Sequence, residues 1–174
     1  MIPPETNPWS SLVRYDEAKN GLKLRLEADA GAREQIAKAL CLKALSALDA
    51  DLTTRPDATG VRLEGRFRAE VTQVCGVTVE PFDSVVEGDI AVSITDDPKL
   101  AAYADDPEAE IGLDTQDPPD LAQGGKIDLG AYVVEHLSLE LDPYPRKPGV
   151  EWDGPAPDEE PSPFAALSKL KRED

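Results

Sequence analysis

The sequence has few of the residues that build disulfide frameworks and metal centres. Only two cysteines, Cys41 and Cys75, and one histidine, His136, occur among 174 residues. Two cysteines in a chain of this length do not form a disulfide framework, so both are predicted to be reduced thiols. No second cysteine follows Cys75 at the spacing of a C-x-x-C zinc motif. The sequence therefore predicts no bound metal and no other cofactor.

Long apolar runs are also missing. No segment approaches the ~18 consecutive apolar residues that cross a membrane. The first residues lack the basic flank and apolar run of a signal peptide. Because aromatic residues make up only 5% of the chain, the core must consist mostly of Leu, Val, Ile and Ala. These features predict a soluble cytoplasmic protein with one modest core and no membrane partner.

Basic residues are scarce relative to acidic ones. Lys and Arg total 18 against 35 Asp and Glu, which gives a formal net charge of -17. Such a chain repels a phosphate backbone at long range and attracts basic proteins. The densest basic group, at Lys169, Lys171 and Arg172, lies at the end of the chain. An equally weighted alternative is that the excess of acidic residues serves only to keep the protein soluble.

Catalytic groups do not form a recognisable constellation. A nucleophilic Cys75–His136 pair is conceivable, but Cys75 at a strand edge fits a small buried hydrophobe and His136 lies within a helical pattern. The carboxylate pairs at 96–97 and 105–106 lie in proline-rich acidic sequence, where nothing would bury them or raise a pKa. The sequence therefore predicts a binding protein and not an enzyme.

Alternation of apolar and polar residues predicts strands at 12–15, 22–28, 61–74 and 85–94. The segment 42–52 fits both strand and helix spacing, and it is assigned to a strand because strand 61–74 needs a partner. Its alternating face is Ala44, Ser46, Leu48, Ala50 and Leu52.

Two segments have helical spacing and an N-terminal capping residue. Asp29 precedes a helix that extends to about residue 40, and Asp128 precedes a helix that ends near residue 141. Strands and helices in this order predict an α+β fold in which an antiparallel sheet has one covered face. Closure of that sheet into a barrel is left open.

The composition divides the chain into an arm, a domain and a tail. Residues 1–10 contain three prolines and are predicted to form an extended arm, while 11–141 form a single α+β domain. Within it, 96–126 is an acidic flexible loop, because 96–121 alone holds nine acidic residues and four prolines. Residues 142–174 are a proline-rich stiff linker and a short amphipathic segment, whose apolar face is Phe164, Leu167 and Leu170. That segment is predicted to dock either on this protein's own sheet or in a partner's groove.

Two blocks of sequence resemble a known family. The first is AEVTQVCGVTVEP, residues 69–81, and the second is KIDLGAYVVEHL, residues 126–137, which continues as LDPYPRKPG through residue 149. Together they resemble the YceD-like family, also called the large ribosomal RNA subunit accumulation protein family. The segment PFAAL, residues 163–167, is similar to the ending of its alphaproteobacterial branch. The candidate family-motif residues are Gln73, Cys75, Glu80, Pro81, Asp128, Leu129 and Glu135.

The resemblance implies a role in accumulation of large-subunit ribosomal RNA, and hence in ribosome assembly. Many members carry C-x-x-C in the first block and a further cysteine after the proline-rich end of the second. Here Thr78 occupies the second cysteine position and Pro148-Gly149 stands near the third, so a zinc site is not carried over.

Two hypotheses about the partner follow. The first is a non-enzymatic factor that binds a basic ribosomal protein or a pre-ribosomal particle, since the net charge favours a basic partner. The second is an RNA-binding module that contacts ribosomal RNA through Arg62, Arg66 and Arg68 on the outward face of strand 61–74. Glu64 and Glu70 interleave with these arginines, so a salt-bridged solvated face is at least an equal interpretation.

Overall fold

A computed structural model of the protein describes residues 7–101, 118–151 and 154. The elements in chain order are β1 (Leu12–Arg14), α1 (Tyr15–Lys19), β2 (Lys23–Glu27), α2 (Ala30–Ala39), β3 (Ala44–Pro56), β4 (Val61–Val74), β5 (Pro81–Thr95), α3 (Pro98–Ala101), β6 (Asp120–Leu121), β7 (Lys126–Asp128) and α4 (Leu129–Glu140). In the described part of the chain, no helix is long and apolar enough to cross a membrane.

Five strands form the main sheet in the order β2-β3-β4-β5-β6. Neighbours are antiparallel except for the short parallel pair of β5 and β6, and β1 pairs with β7 in a separate two-stranded sheet. The predicted α+β fold with an antiparallel sheet is confirmed. Barrel closure is not observed, because no pairing among the described residues joins the edge strands β2 and β6.

Strand β4 lies at the centre of the sheet and shows why its sequence alternates. Val61, Leu63, Phe67, Ala69 and Val71 are buried on the inner face, as predicted. Helix α4 packs against this face at β5 and β4, and α2 packs against β3. Each fully buried Leu, Val or Phe side chain contributes about 1.5–3 kcal/mol relative to leaving it in water. One long amphipathic strand thus supplies much of the core.

A bulge in β3 changes which of its residues face the core. The register with β4 shifts between Leu45 and Ala47, so Ser46 is an extra residue in the strand. Leu45 is buried, whereas Ala44 and Ser46 are exposed. The prediction that Ala44 and Ser46 share the inner face with Leu48 is therefore wrong, because one additional residue inverts the alternation on its far side.

The first strand is shorter than predicted. It ends at Arg14, and Tyr15 begins the five-residue helix α1, in which Tyr15 and Ala18 are buried. Assignment of Tyr15 to a strand is therefore wrong. A helix of about one turn has too few residues for its apolar positions to repeat, so periodicity does not detect it.

Part of the predicted acidic loop forms defined structure. Helix α3 and strand β6 both lie within residues 96–126, and Ile94 and Thr95 of β5 pair with β6. The Ala122 N–H donates to the Thr95 carbonyl oxygen at 2.7 Å. Residues 102–117 lie outside the described residues, so the flexibility predicted for them stays a prediction.

Replacement of Cys41 by glycine is expected to stabilise the protein by about 1 kcal/mol. Cys41 follows α2 with a φ of 55°, a left-handed conformation that glycine adopts more readily than a residue with a Cβ atom. The side chain is exposed, so little packing is lost. Chemical denaturation of Cys41→Gly beside Cys41→Ala checks this. Equal stability of the two variants would contradict it.

Candidate functional site

The two family-like blocks meet at one end of the main sheet. Residues 75–80 connect β4 to β5 and are called the tip turn here. Residues 142–150, which follow α4, lie across this turn and are called the strap. The predicted proline-rich linker therefore begins with a segment that contacts the domain.

Backbone hydrogen bonds hold the strap on the tip turn. The Gly76 N–H donates to the Pro145 carbonyl oxygen at 2.9 Å. The Lys147 N–H donates to the Cys75 sulfur at 3.4 Å. Prolines reduce the conformational freedom of the strap before it docks, which lowers the entropy lost on ordering it. The strap is thus fixed at two points to the first block.

Side chains from both blocks add two further contacts. Gln73 donates from Nε2 to the Asp142 carbonyl oxygen at 3.3 Å. Lys147 donates from Nζ to the Glu80 carboxylate at 3.0 Å. Both groups of this ion pair are exposed, so its contribution to stability is small, about 0–1 kcal/mol. Gln73, Cys75 and Glu80 therefore share one site, and Pro81 begins β5 directly beside it.

Cys75 is the buried centre of this site, with 1% of its surface exposed. The hydrogen bond from the Lys147 backbone, with those from the Thr78 hydroxyl and backbone, lowers the pKa of the Cys75 thiol to about 6. The Cys75 N–H itself donates to the Glu80 carbonyl oxygen at 2.9 Å. The sulfur therefore accepts hydrogen bonds from both turn and strap, and these bonds favour its thiolate form.

The tip turn does not fit a zinc ion. Thr78, which stands at the position of a second cysteine, supplies a hydroxyl that donates to the Cys75 sulfur. No group of three or more potential metal ligands occurs among the residues that the structure describes. A protein free of stoichiometric zinc remains the prediction, and elemental analysis of the purified protein tests it.

His136 has a hydrogen-bond partner in its own helix. Its Nδ1 lies 2.9 Å from the Tyr132 carbonyl oxygen. The hydrogen bonds that the structure gives to the Cys75 sulfur come from the strap and the tip turn. Among the described residues, no hydrogen bond joins Cys75 to His136.

Loss of the Cys75 thiolate is expected to make stability less dependent on pH. Because the folded-state pKa of about 6 lies below the ordinary value of 9.0, this group stabilises the fold fully above pH 9.0 and loses its contribution as pH falls through about 6. The difference in unfolding free energy between the wild type and Cys75→Ala should therefore grow from pH 6 to pH 9. Denaturation at three pH values measures it, and a pH-independent difference would contradict the thiolate assignment.

Asp128 and Leu129 lie at the N-terminus of α4 and do not reach the tip turn. Leu129 is fully buried. The Asp128 carboxylate accepts hydrogen bonds from four groups: Asn7 Nδ2 (2.9 Å), Ser10 Oγ (2.7 Å), Ser11 N (2.8 Å) and Ala131 N (3.3 Å). The predicted N-cap is confirmed. The same side chain also holds residues 7–11 against the domain, so Asp128 has a structural role here.

Glu135 lines a small cavity and lies nearly two turns beyond Leu129 on α4. The cavity holds about 150 Å³, and its walls include Leu12, Leu121 and Tyr132. Tyr132 donates from its hydroxyl to the Asp120 carboxylate at 3.0 Å. Burial and then the Asp120 charge raise the pKa of Tyr132 far above its usual range. Glu135 is therefore a wall residue of this cavity, and no hydrogen bond among the described residues joins it to the tip turn.

The three candidate RNA-binding arginines all lie on the outward face of β4 and are all ion-paired. The pairs are Arg62 with Glu64 (3.7 Å), Arg66 with Asp89 (2.7 Å), Arg68 with Glu70 (2.9 Å) and Arg68 with Glu87 (3.2 Å). This arrangement matches the alternative interpretation of the sequence, in which the outward face of β4 is salt-bridged and solvated. At each arginine a carboxylate therefore competes with any phosphate group for the guanidinium.

Sequence reasoning did not single out Val79, Tyr144 or Lys147, although all three belong to the site. The sequence feature that pointed to the strap was the continuation of the family-like second block through residue 149. The number of prolines indicated stiffness, but it carried no information about docking. Phe164, Leu167 and Leu170 lie outside the described residues, so the predicted docking of that segment stays a prediction.

Comparison with known proteins agrees with the two blocks. A family model described as "Large ribosomal RNA subunit accumulation protein YceD" matches residues 63–171, which is more than half of the chain and includes both the tip turn and the strap. The resemblance to an alphaproteobacterial branch is not tested by this match. Searches of the curated proteins and of the solved structures found no match.

Proposed function

Because the chain belongs to the YceD family of large ribosomal RNA subunit accumulation proteins, we propose that it is a non-enzymatic, cytoplasmic factor in assembly of the large ribosomal subunit. In this proposal it binds a basic ribosomal protein or a pre-ribosomal particle that contains one. The family match is the observation that supports a role in assembly of the large ribosomal subunit. The contact between the two blocks supports the tip turn and strap as the functional end of the molecule.

The charge distribution supports a protein partner over naked RNA. The chain carries a net charge of -17, which raises the encounter rate with basic proteins and lowers it with polyphosphate chains. The arginine-bearing face of β4 does not offset this, because carboxylates neutralise Arg62, Arg66 and Arg68.

Removal of the gene tests the pathway. The ratio of large-subunit to small-subunit ribosomal RNA should fall, and a plasmid copy of the wild-type gene should restore it. Purification of the protein from cells at low and high salt then tests the partner. Recovery of basic large-subunit proteins that decreases with salt supports the proposal. An unchanged RNA ratio after gene removal would refute it.

A further inference from the structure

The small cavity beside Glu135 lies between the N-terminal half of α4 and strands β6 and β7. Its volume is about 150 Å³, and most of its wall residues are apolar, among them Leu12, Ile94, Leu121 and Tyr132. Leu12 and Leu121 are 59% and 40% exposed, so two large apolar side chains are open to solvent beside it. An apolar cavity of about this size can hold a benzene ring. Its dimensions therefore suit one aromatic side chain.

The charged groups in the cavity wall differ in whether they are paired. The Asp128 carboxylate is occupied by the four hydrogen bonds described above. Lys126 and Glu135 form no ion pair with any residue that the structure describes. Each can therefore pair with an incoming group of opposite charge, which adds little energy but helps to select the occupant. The wall suits a segment that carries an aromatic ring together with charges of both signs.

The last residues of the chain, 162–174, have this composition and are called the tail here. Phe164 supplies its only phenyl ring, and Leu167 lies on the same face of the predicted helix. The tail also carries three basic residues and ends with two acidic ones. Residues 102–117, which also lie outside the described residues, contain six acidic residues, no basic residue and no Phe. Their carboxylates would meet Glu135 with like charge, so the tail is the better match.

The chain between the strap and the tail is long enough to reach the cavity. Helix α4 rises about 1.5 Å per residue, so Leu141 lies about 15 Å from Ala131 in the cavity wall. The strap from Leu141 to Lys147 adds at most about 20 Å. The Val150 N–H donates to the Lys147 carbonyl oxygen at 3.2 Å, so Val150 and the cavity are at most about 40 Å apart. The chain from 150 to 164 contains four prolines, which favour extension, and it can span about 43 Å.

We propose that the cavity is the docking site of this chain's own tail, with the Phe164 ring inside it. Leu167 then packs on the exposed side chains of Leu12 and Leu121, and a basic residue of the tail pairs with Glu135. A tail on the same chain has an effective concentration on the order of millimolar, which favours it over the tail of a second copy. The inference does not depend on the proposed ribosomal role, because it concerns a contact within one molecule.

Disulfide trapping in the full-length protein locates the tail. The exposed Cys41 is first replaced by alanine, and Leu167→Cys is then combined with Leu121→Cys at the cavity or with Val85→Cys on β5. Val85 is the matched control, because it is 53% exposed and lies between the tip turn and the cavity along β5. A tail that did not dock would reach it at least as readily. With oxidised glutathione, the pair at the cavity should close about tenfold faster within one molecule, and Phe164→Ala should remove this preference.

Thermal denaturation tests the aromatic ring separately. Phe164→Ala should lower the melting temperature by about 5 °C, because the phenyl ring no longer fills the cavity. Phe164→Leu retains an apolar side chain and should cause a smaller decrease. Ala131→Leu places a larger side chain in the cavity wall, so Phe164→Ala should cause no further decrease in that background. The disulfide rates do not depend on that variant.

Three results would overturn the inference. Equal rates for the two cysteine pairs would show that the tail does not dock at the cavity. Disulfide-linked dimers as the main product would show that the tail of a second copy occupies it. An unchanged melting temperature of Phe164→Ala would place the ring outside the cavity, as expected for a tail that docks on a partner. None of these results changes the ribosomal RNA ratio expected after gene removal, so failure of this inference and failure of the proposed function are distinguishable.

Discussion

Gly60→Ala is expected to destabilise the protein by about 4 kcal/mol, the sum of backbone strain and overpacking. Gly60 closes the turn between β3 and β4, where its N–H donates to the Asp57 carbonyl oxygen at 3.2 Å. Its φ is 149°, which side chains rarely adopt, and an added Cβ would overlap the Tyr15 hydroxyl and the Ile94 carbonyl oxygen. Neither group moves aside easily, because Tyr15 is buried in the core and the β4–β5 pairing fixes the Ile94 backbone opposite Val61.

Thermal and chemical denaturation measure this loss, and Gly124→Ala is the matched control. Gly124 also has a positive φ, 57°, but an added Cβ would meet nothing within 4 Å. That variant therefore reports the penalty of a left-handed φ without steric overlap, which is about 1 kcal/mol. If Gly60→Ala loses no more stability than Gly124→Ala, the close approach of β5 to the turn is not a packing constraint.

The sheet was predictable where burial differs strongly between the two faces of a strand. Strand β4 alternates over fourteen residues, so its inner face is readable from sequence alone. The bulge at Ser46 was not predictable, because a single extra residue leaves each half of β3 with a normal pattern. The residue types at 57–60, Asp-Ala-Thr-Gly, favour a turn before β4, but the contact of Gly60 with β5 depends on strand pairing. That pairing joins residues distant in sequence.

The site was predictable only in part, for a similar reason. The family-like block indicated Gln73, Cys75 and Glu80, and the structure places them together. Docking of the strap depends on a hydrogen bond between Lys147 and the Cys75 sulfur, residues that are 72 positions apart. Local composition reports the stiffness of a proline-rich segment, but it does not report which surface the segment contacts. The interleaved charges on β4 did indicate ion pairs, because neighbours on one strand face are set by the two-residue period.

Asp128→Ala is expected to lower the free energy of unfolding by about 3 kcal/mol, since bonds to a charged group contribute about 1.5–3 kcal/mol each and partial rehydration offsets part of the loss. The change removes the N-cap of α4 and the acceptor for Asn7, Ser10 and Ser11. Strand β1 follows directly and pairs with β7 at Asp128, so amide exchange should accelerate in residues 7–14 as well as in the first turn of α4.

Asp29→Ala supplies the comparison that identifies the second role of Asp128. Asp29 is also a helix N-cap, and its side chain accepts a hydrogen bond from Ala32 N of α2 at 2.8 Å. Its loss is expected to reduce stability by about 1 kcal/mol, the usual effect of removing a cap. Asp128→Asn keeps one acceptor oxygen and should fall between the two alanine variants. If Asp128→Ala destabilises the protein no more than Asp29→Ala, the N-terminal segment is held by other contacts.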